Sequence, residues 1–213
     1  MMKIWDLSLN YDVVIFNGDI IEGDGVTWDE FIKTEIFSLL KNHIEYLKNT
    51  GIEVYATNGN HDPKELLTSY LFDNLYSHYN ATQNGKKIRI EHGDLIMKNK
   101  SLYKLSFLKK RIDALEKVVE KKHVVEFWYT VFGLLSVFSS GRTLPGKTWN
   151  SSIVKFIEKL HDQVDIYVFD HTHYYEVVRK KERVYAFSGN AAYGYLPYLE
   201  LINGEVIQKV DRY

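Results

Sequence analysis

Short strand-like runs recur along this chain, and four of them stop at a cluster of polar residues. Asp12–Asn17 (DVVIFN) is continuous and ends in Gly18-Asp19, as a buried parallel strand feeding a loop does. Glu53–Thr57 ends in Asn58-Gly59-Asn60-His61-Asp62, Lys87–Glu91 in His92-Gly93-Asp94, and Val164–Phe169 in Asp170-His171-Thr172-His173. Strand-like runs follow at Tyr174–Arg179, Val184–Ser188 and Tyr198–Val210, with Asn203-Gly204 in the last predicting a type I′ hairpin. Between them the rhythm becomes helical. Trp28–Asn49 carries Phe31, Ile36, Leu39, Leu40, Ile44 and Leu47 at helical spacing, behind Thr27 as N-cap and ahead of Gly51. Pro63–Tyr76 reads as a helix with its proline in the first turn, and Leu95–Lys159 as mostly helical.

Composition adds exclusions. The 213 residues carry a net charge of −1, so no global attraction draws nucleic acid or an anionic membrane. There is no cysteine, which rules out disulfides, thiolate metal sites and cysteine nucleophiles and fits a cytoplasmic protein. A metal must use His, Asp, Glu or Asn, a donor set for Mn²⁺, Fe²⁺ or Zn²⁺. Met1–Asn10 holds no long apolar segment of a secretory signal, and Val124–Phe138 falls short of the ~20 residues of a spanning helix. The length fits one domain, 1–213.

The four polar clusters share one property. In open α/β sheets, ligands bind beyond the carboxyl ends of the strands, so four such loops converge. Imidazole, carboxylate and a neutral Asn carbonyl suit a divalent ion, and the glycines let the backbone turn tightly beside it.

Taken in order, GD, GNHD, HGD and HTH resemble the motif series of the calcineurin-like metallophosphoesterase superfamily, from Asp12 to the C-terminal strands. Each motif is weak alone; four in order, each after a strand, are specific. The resemblance implies a β-sandwich flanked by helices, an α/β fold. It implies two metals ~3.5–4 Å apart and in-line attack of an activated water on phosphorus. Asp19 resembles the bridging carboxylate, and Asn60, His92 and His171 the ligands of the second metal. His173 resembles a ligand of the first metal, His61 the histidine that assists the leaving oxygen, and Asp62 its orienting carboxylate. Mn²⁺ is the expected ion, with Fe²⁺, Zn²⁺ or Mg²⁺ as alternatives.

The chain departs from the family at its start. The family opens with a strand ending in Asp-x-His. Here Asp6-Leu7-Ser8 lies only three residues before Asp12, too close for a parallel crossover. Met1–Asn10 is therefore expected to be the helix before the Asp12 strand, with the first strand and its ligands missing. That leaves one well-liganded metal site and predicts that metal binding survives better than activity. It also predicts an exposed sheet edge prone to association. Asp170 and Glu22 stand where the family usually has Gly and Asp.

Residues 98–149 form an expected helical insertion, a lid, with 11 Lys or Arg against 4 acids on a protein of net −1. Basic and aromatic helices beside a metal site suit a phosphate-containing small or lipid-like substrate and shallow membrane contact. Arg142 and Lys147 are candidates to meet its phosphate. The layout is similar to UDP-2,3-diacylglucosamine hydrolases, which split a nucleotide-sugar lipid pyrophosphate, although those usually have Arg where His61 stands. Nucleic-acid cleavage by a phosphodiesterase or nuclease, and a non-catalytic metal-binding relative, are the competing functions. His43, His78, His123 and His161 carry no motif and read as surface or core histidines. Oligomeric state and substrate are left open.

Overall fold

A strand buried on both faces must be apolar at every position, and Ile166–Phe169, buried throughout, lies in the middle of a five-stranded sheet. The computed structural model describes residues 6–20, 28–62, 64–94, 96, 144–160, 162–189 and 195–212. β1 (Val13–Asn17) and β2 (Glu53–Thr57) pair in parallel, Val13 opposite Glu53 through Asn17 opposite Thr57. β3 (Tyr79–Gln83), β4 (Lys86–Ile90), β5 (Ile166–Phe169), β6 (Glu176–Lys180) and β7 (Arg183–Phe187) form a mixed sheet in the order β3-β4-β5-β7-β6. Within it β4, β5 and β7 are parallel, so their carboxyl ends share one rim. β8 (Tyr195–Ile202) and β9 (Glu205–Arg212) pair as a hairpin.

The period of two sorts the side chains into layers. Ile166 and Val168 of β5, with Ala186 of β7, face a layer shared with Ile88, Ile90 and Val206, against which Ile15 of β1 and Leu199 and Leu201 of β8 also pack. Tyr167, Phe169, Tyr185 and Phe187 point the other way, onto Ile153, Val154 and Ile157 of a helix, residues Leu144–Ile157. Phe16 of β1 and Ala56 of β2 face a third layer with Phe37, Ile44, Leu67, Leu71 and Phe72. The result is helix, sheet, sheet, helix. Each fully buried aliphatic side chain contributes about 1.5–3 kcal/mol.

Trp28–Asn49 is two helices: α1 (Trp28–Phe31) and α2 (Glu35–Asn49). Thr34 divides them. Its backbone is extended, and its hydroxyl accepts from the Phe37 amide at 3.2 Å, satisfying an orphan donor at the start of α2. The helix after Asp62 is also shorter than expected. α3 runs Lys64–Tyr70, and the chain then turns so that Tyr76 bridges to Thr57 beside β2. α4 is Leu144–Ile157, within the expected helical stretch.

β3 is a strand for which the sequence reading made no provision. Its signal was Asn84-Gly85, both at positive φ (49° and 75°), the same turn chemistry as Asn203-Gly204. The two hairpin tips lock together: Gln83 accepts from the Gly204 amide at 2.8 Å, and the Asn84 side chain donates to the Asn203 carbonyl at 3.1 Å.

Asp6–Ser8 form a helical turn, as expected of the segment before β1. Among the described residues β1 pairs only with β2, and its side chains are exposed or half-buried, whereas those of β5 are all buried. Residues 1–5, Glu22, Thr27, His123, Arg142, His161 and most of the 98–149 insertion lie outside the described residues.

Candidate metal centre

Four loops leave the carboxyl ends of β1, β2, β4 and β5, and they meet. Asn17, the last residue of β1, ties three of them. Its side chain accepts from the Thr57 hydroxyl at 2.7 Å and donates to the Glu91 carbonyl at 3.3 Å, fixing the end of β1 against the ends of β2 and β4. Gly18 and Asp19 then turn through positive φ (74° and 45°). A Cβ on Gly18 would sit 2.6 Å from Nδ1 of His92, so only glycine admits the imidazole.

His92 is the hub, with 1% of its surface exposed. Its Nδ1 lies 3.4 Å from the Asn17 carbonyl oxygen, which can only accept, so this nitrogen carries a hydrogen. Its Nε2 is 3.1 Å from Oδ2 of Asp19, 3.1 Å from Oδ1 of Asn60 and 3.1 Å from Nδ1 of His171. The ligand atoms of Asp19, His92 and His171 all lie within 4.8 Å of one another.

The lone pairs facing that point outnumber its hydrogens. One hydrogen on Nε2 can serve one acceptor, which leaves further acceptor atoms crowded around it. A cation satisfies all four at once. The donor set of two imidazoles, a carboxylate and an amide oxygen suits a first-row divalent ion. His92 donating its other nitrogen to a carbonyl is the arrangement that orients metal-binding histidines. The residues present therefore fit a divalent cation.

Electrostatics follow the same pattern. Burial works to raise the Asp19 carboxyl, but the hydrogen bond and charge of His92 and the His61 amide hold it down at about 2. Burial would lower His92, yet its hydrogen bond to Asp19 and that carboxylate's charge lift it above its ordinary range. Burial, then the charge of His92, push His171 down to about 4. Burial pushes Asp170 up to about 7, against a hydrogen bond from the Ser188 hydroxyl at 2.6 Å. Asp170 thus has its carboxylate tied to the end of β7.

The remaining candidates divide. The amide of His61 donates to Oδ1 of Asp19 at 3.0 Å, so the two oxygens of Asp19 serve different loops. The His61 side chain is half-buried. Asp62 is buried, and its carboxylate accepts from the Gly59 amide at 2.9 Å, closing the turn that presents Asn60. His173 is exposed, at positive φ (54°), and outside the Asp19–His92–His171 group. Lys147 lies exposed on α4. Asn17 and Asn150 are residues the sequence reading missed. Asn17 had a signal, a polar residue closing an apolar run just before Gly18-Asp19; Asn150 had a fainter one, an amide on the apolar stripe of 150, 153, 154 and 157.

A sequence model of the calcineurin-like phosphoesterase family matches residues 2–175. No curated protein matches this chain. Among solved structures, Vps29 from Entamoeba histolytica is similar at 12% identity, over 100% of this chain and 89% of that one, with a TM-score of 0.42. A novel archaeal phosphodiesterase is similar at 15% identity, over 98% and 87%, with a TM-score of 0.42. A predicted phosphoesterase from Streptococcus pneumoniae is similar at 12% identity, over 100% and 90%, with a TM-score of 0.36.

Proposed function

We propose, from the premise that this chain belongs to the calcineurin-like phosphoesterase family, that it holds a divalent cation on Asp19, Asn60, His92 and His171 and hydrolyses a phosphate ester or pyrophosphate beside it. One observation carries this reading: three ligand-competent atoms from three other loops, two oxygens and an imidazole nitrogen, sit 3.1 Å from a single nitrogen of His92. A divalent cation bound there supplies Lewis acidity, activating water and neutralising charge on phosphoryl oxygens. The chain's own part is placement. Asn17 orients His92, the His61 amide orients Asp19, and Asp62 holds the turn that carries Asn60 and His61. The His61 imidazole then donates a proton to the leaving oxygen.

The finer proposals are Mn²⁺ as the ion and a lipid-like phosphate or nucleotide-sugar pyrophosphate as substrate, supported by the 11 basic residues of 98–149. The same charge supports peripheral contact with an anionic membrane surface from a cytoplasmic location. Among the described residues no helix is long and apolar enough to cross a membrane. A second reading, a chain that binds an ion without turnover, is supported by the exposed position of His173 outside the group.

The test is Mn²⁺-dependent hydrolysis of bis(p-nitrophenyl) phosphate and p-nitrophenyl phosphate. Wild type should turn over and stop with chelator. His92→Ala should lose both Mn²⁺ binding and turnover, whereas His61→Ala should keep Mn²⁺ and lose about 10²–10⁴-fold in rate. Bound Mn²⁺ with neither substrate cleaved would move the conclusion to the second reading.

A further inference from the structure

We infer that Asn150 is a positioning residue, which, together with Thr172, holds the β5–β6 loop so that His171 faces His92. The inference rests on the cation-site reading above. Asn150 lies on α4, on the stripe that continues through Ile153, Val154 and Ile157 into the apolar layer under the five-stranded sheet. It is 0% exposed, and Thr172 is 1% exposed. An amide at such a position is costly unless its polar atoms are bonded. Here both are. The Thr172 hydroxyl donates to Oδ1 of Asn150, and Nδ2 of Asn150 donates to the Tyr174 carbonyl at 3.0 Å and to the Glu176 carboxylate at 3.1 Å.

Those three partners flank the histidines. Thr172 lies between His171 and His173, Tyr174 follows, and Glu176 opens β6. From the opposite side, the amides of Asp170 and His171 both donate to the His92 carbonyl, at 3.2 and 3.0 Å. The loop is thus held at two points, one on the hub histidine and one on a helix 21 positions earlier in the sequence (171 − 150). The main-chain hold fixes the distance from His171 to His92. The Asn150 hold fixes the rotation of the loop about it, because Thr172 and Tyr174 cannot turn without breaking buried hydrogen bonds. Releasing it leaves the His171 imidazole free to leave the point where it meets Asp19 and His92.

The experiment measures Mn²⁺ affinity by the electron paramagnetic resonance signal of free ion, well below the melting temperature, for five proteins: wild type, His92→Ala, Asn150→Leu, Thr172→Val and Thr172→Ser. The affinities of Asn150→Leu and Thr172→Val should fall roughly 10-fold or more, as for groups that orient a metal ligand without touching the metal. Thr172→Ser keeps the hydroxyl and should bind like wild type. If Asn150→Leu does not fold, Thr172→Val against Thr172→Ser decides. Wild-type affinity in folded Thr172→Val and Asn150→Leu, even with a lowered melting temperature, would overturn the positioning role while leaving the cation site intact. No Mn²⁺ binding by wild type, or unchanged binding by His92→Ala, would overturn the site reading itself and this inference with it.

Discussion

Asp19 and Gly59 pack so closely that no side chain fits between them: a Cβ on Gly59 would lie 2.1 Å from the Asp19 amide nitrogen and 2.2 Å from its Oδ1. The obstacle is backbone, which cannot swing aside as a flexible side chain does. Gly59→Ala must therefore push the Asn60 loop away from Asp19, breaking the bond from the His61 amide to Oδ1. The expected result is loss of Mn²⁺ binding together with destabilisation of about 1–3 kcal/mol or more. Calorimetric titration and urea unfolding check both. Gly85→Ala is the control, since a Cβ there meets nothing within 4 Å, although its positive φ of 75° carries its own strain.

Protons and cation compete for Nε2 of His92. In the metal-free protein Asp19 holds the imidazole above its ordinary range, so near pH 6 the ring is largely protonated. A cation needs the neutral ring, so loading must expel that proton, and affinity must fall as pH falls. His171, pushed down to about 4, is mostly neutral at pH 6 and releases little there. Titrating Mn²⁺ at pH 6 in two buffers of different ionisation enthalpy should reveal proton release from His92, with any release from Asp170 added to it, and the release should shrink as pH rises. Identical heats in both buffers at pH 6 would remove His92 from the ligand set.

A histidine outside the site should add to the loss of stability that His171 causes in the metal-free protein as pH falls. His43 on α2 is buried, with its Nε2 2.9 Å from the Ser8 hydroxyl, and burial lowers its pKa from 6.5. The unfolded chain therefore takes up this proton first as pH falls. The stability His43 contributes is complete above about pH 6.5 and is lost as pH drops below that. His43→Gln keeps a polar partner for Ser8 and removes the titration. Urea midpoints measured in chelator at pH 5, 6 and 7 should decline less steeply in the variant than in wild type. Equal slopes would show that His43 is not the group that titrates.

What the sequence made legible follows from which signals are local. β5 is buried on both faces and announced itself as an apolar run, whereas β1, β2 and β4 are only partly buried and were marked chiefly by the polar residues that close each run, which also marked the converging loops. The hairpin at Asn203-Gly204 was equally local. β3 alternates as an edge strand must, YNATQ, and its Asn84-Gly85 turn carried the missed information. The break at Thr34 was hidden because the apolar spacing continues across it. Asp62 was expected to steady His61, and it does receive the Gly59 amide, a role its neighbours in the chain do not reveal. Asn150 shows the limit most clearly. An amide on an apolar stripe signals that something polar lies opposite, and only the folded chain says that it is Thr172.

Removing the ion should loosen the molecule as a whole, because the proposed ligands belong to different sheets. Asp19 and Asn60 follow β1 and β2, while His92 and His171 follow β4 and β5. The bonds described across this rim between the two sheets are few: Asn17 reaches the Glu91 carbonyl at 3.3 Å, and His92 reaches Asn17, Asp19 and Asn60. A cation held by all four adds a cross-link between layers otherwise joined by apolar packing. Ion at 100 times its dissociation constant stabilises the folded state by about 2.7 kcal/mol. For a chain of this size that corresponds to roughly 5–11 °C in melting temperature. Wild type should show that rise with Mn²⁺ and lose it with chelator. His92→Ala and Asp19→Ala should melt at one temperature with or without the ion, while Lys147→Ala, on the exposed surface of α4, should respond like wild type. Mn²⁺ raising the melting temperature of His92→Ala as much as that of wild type would place the stabilising ion somewhere other than between the two sheets.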